Sequence, residues 1–127
     1  MPYFIIIGAF FAMLSVVLGA MGAHALKAIL DAQALTAFQT ATTYQMYHAL
    51  AMILTALSIP YANRPAMLNK AGWFFMLGII LFSGSLYGLS VFGIKSLGII
   101  TPIGGLFFIL AWLFFAASFV INKAEKN

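Results

Sequence analysis

The sequence predicts an all-α integral membrane protein, a four-helix bundle with an interfacial helical segment between its first and second helices. Of its 127 residues, 65% are hydrophobic and 6% charged, whereas a soluble domain is roughly half apolar and a quarter charged. A chain this short cannot bury several wholly apolar helices inside one another, so lipid has to cover them. The apolar residues fall in long runs separated by short polar stretches, each run close to the roughly twenty residues that cross the hydrocarbon of a bilayer. Within the runs, small residues recur at spacings of three and four, the signature of one helix face.

The first run, 3–23, has no charge and is helix one. Gly8, Ala12, Ser15, Gly19 and Gly22 line one side of it, a small-residue stripe on which another helix can pack closely. Phe4 to Leu18 followed by Ala23-His24-Ala25 also looks like a signal peptide, but the start carries no Lys or Arg and the apolar run is too long for one. From His24 to Thr43 the chain turns mildly polar. Lys27 and Asp31 stand four apart, a spacing that allows pairing across one helical turn, and Asp31 suits the cap of a second helix. The second span, about 40–59, ends at Pro60, and Tyr61 to Lys70 is expected to be a polar turn containing Asn63, Arg64 and Pro65.

The third span, 71–92, carries Gly84 and Gly88 as a second small-residue pair flanked by Ser83 and Ser85. A turn at Gly93 to Ser96 leads to Thr101-Pro102, where Thr would cap and Pro would open a fourth helix. Ile99 and Ile100 extend that apolar run to about 99–121, so an irregular Thr-Pro-x-Gly-Gly turn inside the membrane is the alternative, and Gly104 and Gly105 then serve either packing or a broken helix. Trp112 falls in mid-helix and should face the bundle to find an acceptor for its indole. Four spans place Arg64, Lys70, Lys123 and Lys126 on one side and Lys27 and Lys95 on the other, which predicts both termini in the cytoplasm. Tyr3, Tyr61 and Trp73 would mark the inner interface, and Tyr44 and Tyr87 the outer.

Gly19-Ala20-Met21-Gly22-Ala23-His24, Tyr44-Gln45-Met46-Tyr47-His48-Ala49-Leu50-Ala51, Leu81-Phe82-Ser83-Gly84-Ser85-Leu86-Tyr87 and Thr101-Pro102-Ile103-Gly104-Gly105 together resemble the YwdK/YgdD family of small bacterial inner-membrane proteins. The resemblance covers nearly the whole chain. It implies four transmembrane helices in a bacterial plasma membrane and supplies no chemistry, since the family has no assigned substrate, cofactor or catalytic residue. One staphylococcal relative carries the label of a membrane-stabilising protein.

The chain has no cysteine, which removes disulfides, thiolate metal sites and thiol chemistry. Six scattered bases give a formal charge of +4 without the basic stripe that nucleic acids require. No acidic residue lies in a predicted span, which disfavours a proton-coupled exporter, and phosphate-loop, Ser/His/Asp and zinc-helix motifs are missing. Phe38, Ala41, Gln45, His48 and Met52 share one face of helix two. Gln45, His48, Ser83, Ser85, Tyr87 and Thr101 form a candidate polar pocket in the outer half of the membrane, against the simpler expectation that each bonds a neighbouring helix. His24 and His48 are weak candidates for a haem or metal, placed at similar depth in an antiparallel hairpin but lacking a third ligand. The composite expectation is a non-enzymatic structural or interaction protein without a cofactor, partnered by the lipid bilayer and by a second copy or another membrane protein. A small-solute carrier or channel is the alternative.

Overall fold

The computed structural model describes residues 2–121. Lys123 and Lys126, and the helix end expected at 121, bear on residues outside or at the edge of that range. Described residues fold into α1 (Pro2–Ala23), α2 (Ala32–Leu57), α3 (Pro65–Gly78), α4 (Gly84–Phe92) and α5 (Ile100–Ala117), with no strand among them. A π-helical turn, Ile79–Ser83, joins α3 to α4 in one rod, and short 3₁₀ turns occupy Leu26–Ala28, Ile59–Tyr61 and Lys95–Ile99. Three stretches are long and apolar enough to cross a membrane: Pro2–Ala28, Pro65–Phe92 and Lys95–Ala117.

Local chemistry sets the boundaries. Asp31 adopts an extended backbone and its carboxylate accepts the Ala34 amide at 2.8 Å, which satisfies one of the free donors of the first turn. Helix two therefore begins at Ala32, behind the cap expected of Asp31 and eight residues ahead of its apolar span. Lys27 sits in a separate 3₁₀ turn, so it and Asp31 do not share the helical turn that would pair them. Pro65 occupies the first turn of α3, where its missing amide costs nothing, and the polar turn expected over Tyr61 to Lys70 shortens accordingly. Gly93 takes φ +66 after α4, the left-handed closure that glycine makes without strain. Thr101 is not a cap: α5 is entered from the 3₁₀ turn through Ile99, Pro102 is absorbed in its first turn, and Thr101 to Gly105 is unbroken helix.

The least apolar of the long helices, α2, lies at the centre, packed on α1, α3, α4 and the π turn, while α5 packs on α3 and the π turn. The core joins Phe4, Ala49, Met52, Ala71, Phe75, Ile79, Phe108 and Ala111. Close approach depends on particular glycines. A Cβ on Gly104 would stand 2.3 Å from the Phe82 backbone nitrogen, so α5 crosses the π turn with backbones nearly touching. A Cβ on Gly78 would enter the ring of Phe108, and one on Gly72 the ring of Phe4.

Candidate functional site

The stripe predicted on helix one meets α2 in an antiparallel register. Phe38 packs where a Cβ on Gly22 would be, Ser15 donates to the Thr42 carbonyl at 2.7 Å, Gln45 Nε2 donates to the Phe11 carbonyl at 2.8 Å, and Gly8 lies against the Ala49 carbonyl. Phe38, Ala41, Gln45, His48 and Met52 are all buried, the face expected from their spacing. Ala12 packs at the edge of the core. Gly19 and Gly84 differ: a Cβ on either would have no neighbour within 4 Å. Neither supports a helix contact within the chain. Gly88 faces Leu97, and Gly105 lies at ordinary contact distance from the Phe82 ring.

The six residues of the expected polar pocket do not share one cavity. They divide into separate closed contacts. The Tyr87 hydroxyl donates to Gln45 Oε1 at 2.5 Å, so Gln45 links α1, α2 and α4. Ser83 Oγ donates to the Ala41 carbonyl at 2.8 Å, Ser85 and Thr101 join their hydroxyls at 2.6 Å, and His48 bonds Trp112. No buried side-chain nitrogen or oxygen among the described residues lacks a partner. That is what a low-dielectric surrounding demands, since each unpaired group there costs several kcal/mol. The π turn presents Ser83 to Ala41 while keeping the Phe82 backbone against Gly104, an adjustment that one inserted residue in a helix permits.

His48 is fully engaged. Its Nδ1 lies 2.7 Å from the Tyr44 carbonyl and its Nε2 accepts from Trp112 Nε1 at 3.2 Å; a carbonyl only accepts, so Nδ1 carries the proton. The imidazole stacks on Phe108 with centroids 3.5 Å apart. Trp112 thus has the inward partner expected of it, although its ring remains 41% exposed. The two histidines are not at matched depth. Gly8 is level with Ala49, so His48 lies opposite the early turns of α1, whereas exposed His24 follows its last turn, about sixteen residues or about 24 Å further along the axis. They cannot share a metal or haem iron, and no group of three or more His, Cys, Asp or Glu among the described residues could hold a metal. Tyr44 is likewise displaced from the expected interface, packing on Phe82 and Phe108 at the middle of α2, whereas Tyr87 lies five residues before the end of α4, packs on Phe38 and reaches Gln45 with its hydroxyl. At the end near the start of α1, Tyr3 stacks on Trp73 and donates to Asn69, while Asn63 Nδ2 and the Arg64 amide bond the carbonyls of Phe119 and Ser118. The sequence left those end contacts unseen, because their partners lie more than fifty residues apart.

Among the described residues, the interior hydroxyls are bonded to carbonyls or to each other and the His48 imidazole is held at both nitrogens. The family profile described as "Protein of unknown function (DUF423)" matches residues 18–105. The chain belongs to this family. The DUF423 protein is 47% identical over 113 residues to a UPF0382 membrane protein of Staphylococcus saprophyticus, covering 89% of this chain and 92% of the relative. It is 45% identical over 113 residues to the UPF0382 membrane protein YwdK of Bacillus subtilis, with coverage of 89% and 92%. A UPF0382 membrane protein of a bovine Staphylococcus aureus strain is 47% identical over 113 residues, 89% of this chain and 91% of that one. No solved structure matches. The resemblance to YwdK read from four motifs is thereby shown, and this DUF423 chain is an all-helical membrane protein.

Proposed function

We propose that the chain is a non-enzymatic, four-span protein of the bacterial plasma membrane that acts by packing, against lipid and against a second membrane-embedded surface. The observation that carries this is the closure of its buried polar groups by partners in the same chain. A carrier needs polar atoms left for its solute; here they hold helices together, at about 0.6 kcal/mol or more each. Gly19 and Gly84, small and turned outward, leave low places on the surface for a neighbouring helix or acyl chain.

The register of α2 along α1 supports counting α2 as the fourth span, its polar side chains screened by the helices around it. Arg64 and Lys70 stand at the end where α1 begins, and Lys27 and Lys95 at the other; on the positive-inside rule this favours a cytoplasmic N-terminus. Because the chain has no cysteine, Asn63→Cys and Ala28→Cys report sidedness directly. An impermeant maleimide applied to intact spheroplasts is expected to label Ala28→Cys alone.

The functional test is reconstitution into liposomes. Packing predicts no flux of ions or small metabolites above empty vesicles, together with raised acyl-chain order by fluorescence anisotropy. Saturable uptake that Gln45→Leu abolishes in a still-folded protein overturns the proposal in favour of a carrier.

A further inference from the structure

At the end of the molecule away from Tyr3 and Arg64, the start of α2 and the end of α4 part around an open cleft of about 750 Å³. Asp31 stands at the cap of α2 on one wall and Lys95, which opens the 3₁₀ turn after α4, on the other, and both are exposed. Between them the lining is mixed, with Gln33 and Ser90 beside apolar side chains, of which Ile29 and Phe92 are exposed at 75% and 76%. Exposed apolar side chains beside charges mark the boundary between hydrocarbon and headgroups, so this end sits where a lipid presents its phosphate.

We infer that the cleft binds one zwitterionic phospholipid with a primary ammonium group, its phosphate toward Lys95 and its ammonium toward Asp31, with the first acyl carbons against Ile29 and Phe92. Charge complementarity selects this occupant. Asp31 already accepts the Ala34 amide, but a carboxylate has about four acceptor sites, so it can take an ammonium as well. A phosphatidylglycerol headgroup would bring the same phosphate charge to Lys95 but offer Asp31 only neutral hydroxyls, without the ion pair. A quaternary ammonium would match the charge but offers no N–H to the carboxylate. This site rests on the membrane reading for its depth and not on the packing role, which the liposome and labelling experiments examine separately.

The test reconstitutes the full chain into nanodiscs of equal phosphatidylethanolamine, phosphatidylcholine and phosphatidylglycerol, and counts retained lipids by native mass spectrometry. The native chain should retain phosphatidylethanolamine over each of the others by about two- to fivefold, the scale of one solvated charge contact. Asp31→Asn keeps the helix cap, since Asn caps as well as Asp, and should erase that preference. Lys95→Gln should lower retention of all three lipids. Equal retention by the native chain, a preference for phosphatidylglycerol, a preference that survives Asp31→Asn, or retention unchanged in Lys95→Gln overturns the inference.

Discussion

Replacing Gly104 with Ala should open the molecule at its tightest crossing. The added Cβ would lie 2.3 Å from the Phe82 nitrogen, 2.7 Å from its Cα and 2.8 Å from its Cβ. All are main-chain atoms or fixed to the main chain, so no rotamer change relieves the clash. Reaching an ordinary contact of about 3.5 Å requires α5 and the π turn to part by about 1.2 Å. The Ser85 to Thr101 contact, one turn away, would then stretch from 2.6 Å past the range of a hydrogen bond. Overpacking of this kind costs about 1–3 kcal/mol, and the lost interhelical bond adds about 0.6 kcal/mol, so a destabilisation of about 2–4 kcal/mol is expected. Gly84→Ala is the control, because its Cβ meets nothing within 4 Å. Reversible unfolding in mixed micelles by titrated SDS, followed by circular dichroism, measures both. Equal stability of Gly104→Ala and Gly84→Ala would refute the crossing of α5 on Phe82.

Gln45→Leu should destabilise by about 1–3 kcal/mol, since it removes the bond to Phe11 and leaves the Tyr87 hydroxyl unpaired; a double-mutant cycle with Tyr87→Phe should give a coupling near 0.6 kcal/mol, and zero coupling would separate the two residues. Asp31→Ala should cost about 1 kcal/mol and speed hydrogen exchange at Ala34, whereas Asp31→Asn should leave both unchanged. Gly93→Ala, at φ +66 with open space around its Cβ, should cost about 1–2 kcal/mol from backbone strain alone, with Gly93→Asn milder; no loss in either would mean the left-handed turn is not required. Trp112→Phe should lower stability in the same titration by about 0.6 kcal/mol or more, and His48→Ala should shift the Trp112 emission relative to a Trp73→Phe background.

Periodicity revealed contacts wherever a helix face meets one neighbour along its length. Gly8, Ser15 and Gly22 were legible on that basis, as were Gln45 and His48, because polar or very small side chains at spacings of three and four have few other uses in an apolar run. Gly19 and Gly84 follow the same spacing yet point outward, since a small residue in lipid is tolerated on any face. The π turn left no trace: in a run where nearly every side chain is apolar, one residue inserted into the helical register breaks no visible pattern. Thr101-Pro102 reads as a helix start in sequence, but proline in any position of a first turn loses no hydrogen bond, so the helix could begin earlier. The expected histidine pair fails on helix length. With α2 running from the Asp31 cap, His48 lies about four turns along it, far below His24 at the end of α1. The division of the polar residues into separate pairs could not be read at all, because each pair joins segments many residues apart.

The central position of α2 has a consequence for biogenesis. It is the one long helix that is not apolar enough by composition to cross a membrane unaided, and its Gln45 amide is bonded to the Phe11 carbonyl of the helix made just before it. Released singly from an insertion channel, such a segment would partition poorly into lipid. It should instead leave with α1 as a preassembled hairpin, which makes the first helix a folding partner for the second from the moment both have emerged from the ribosome.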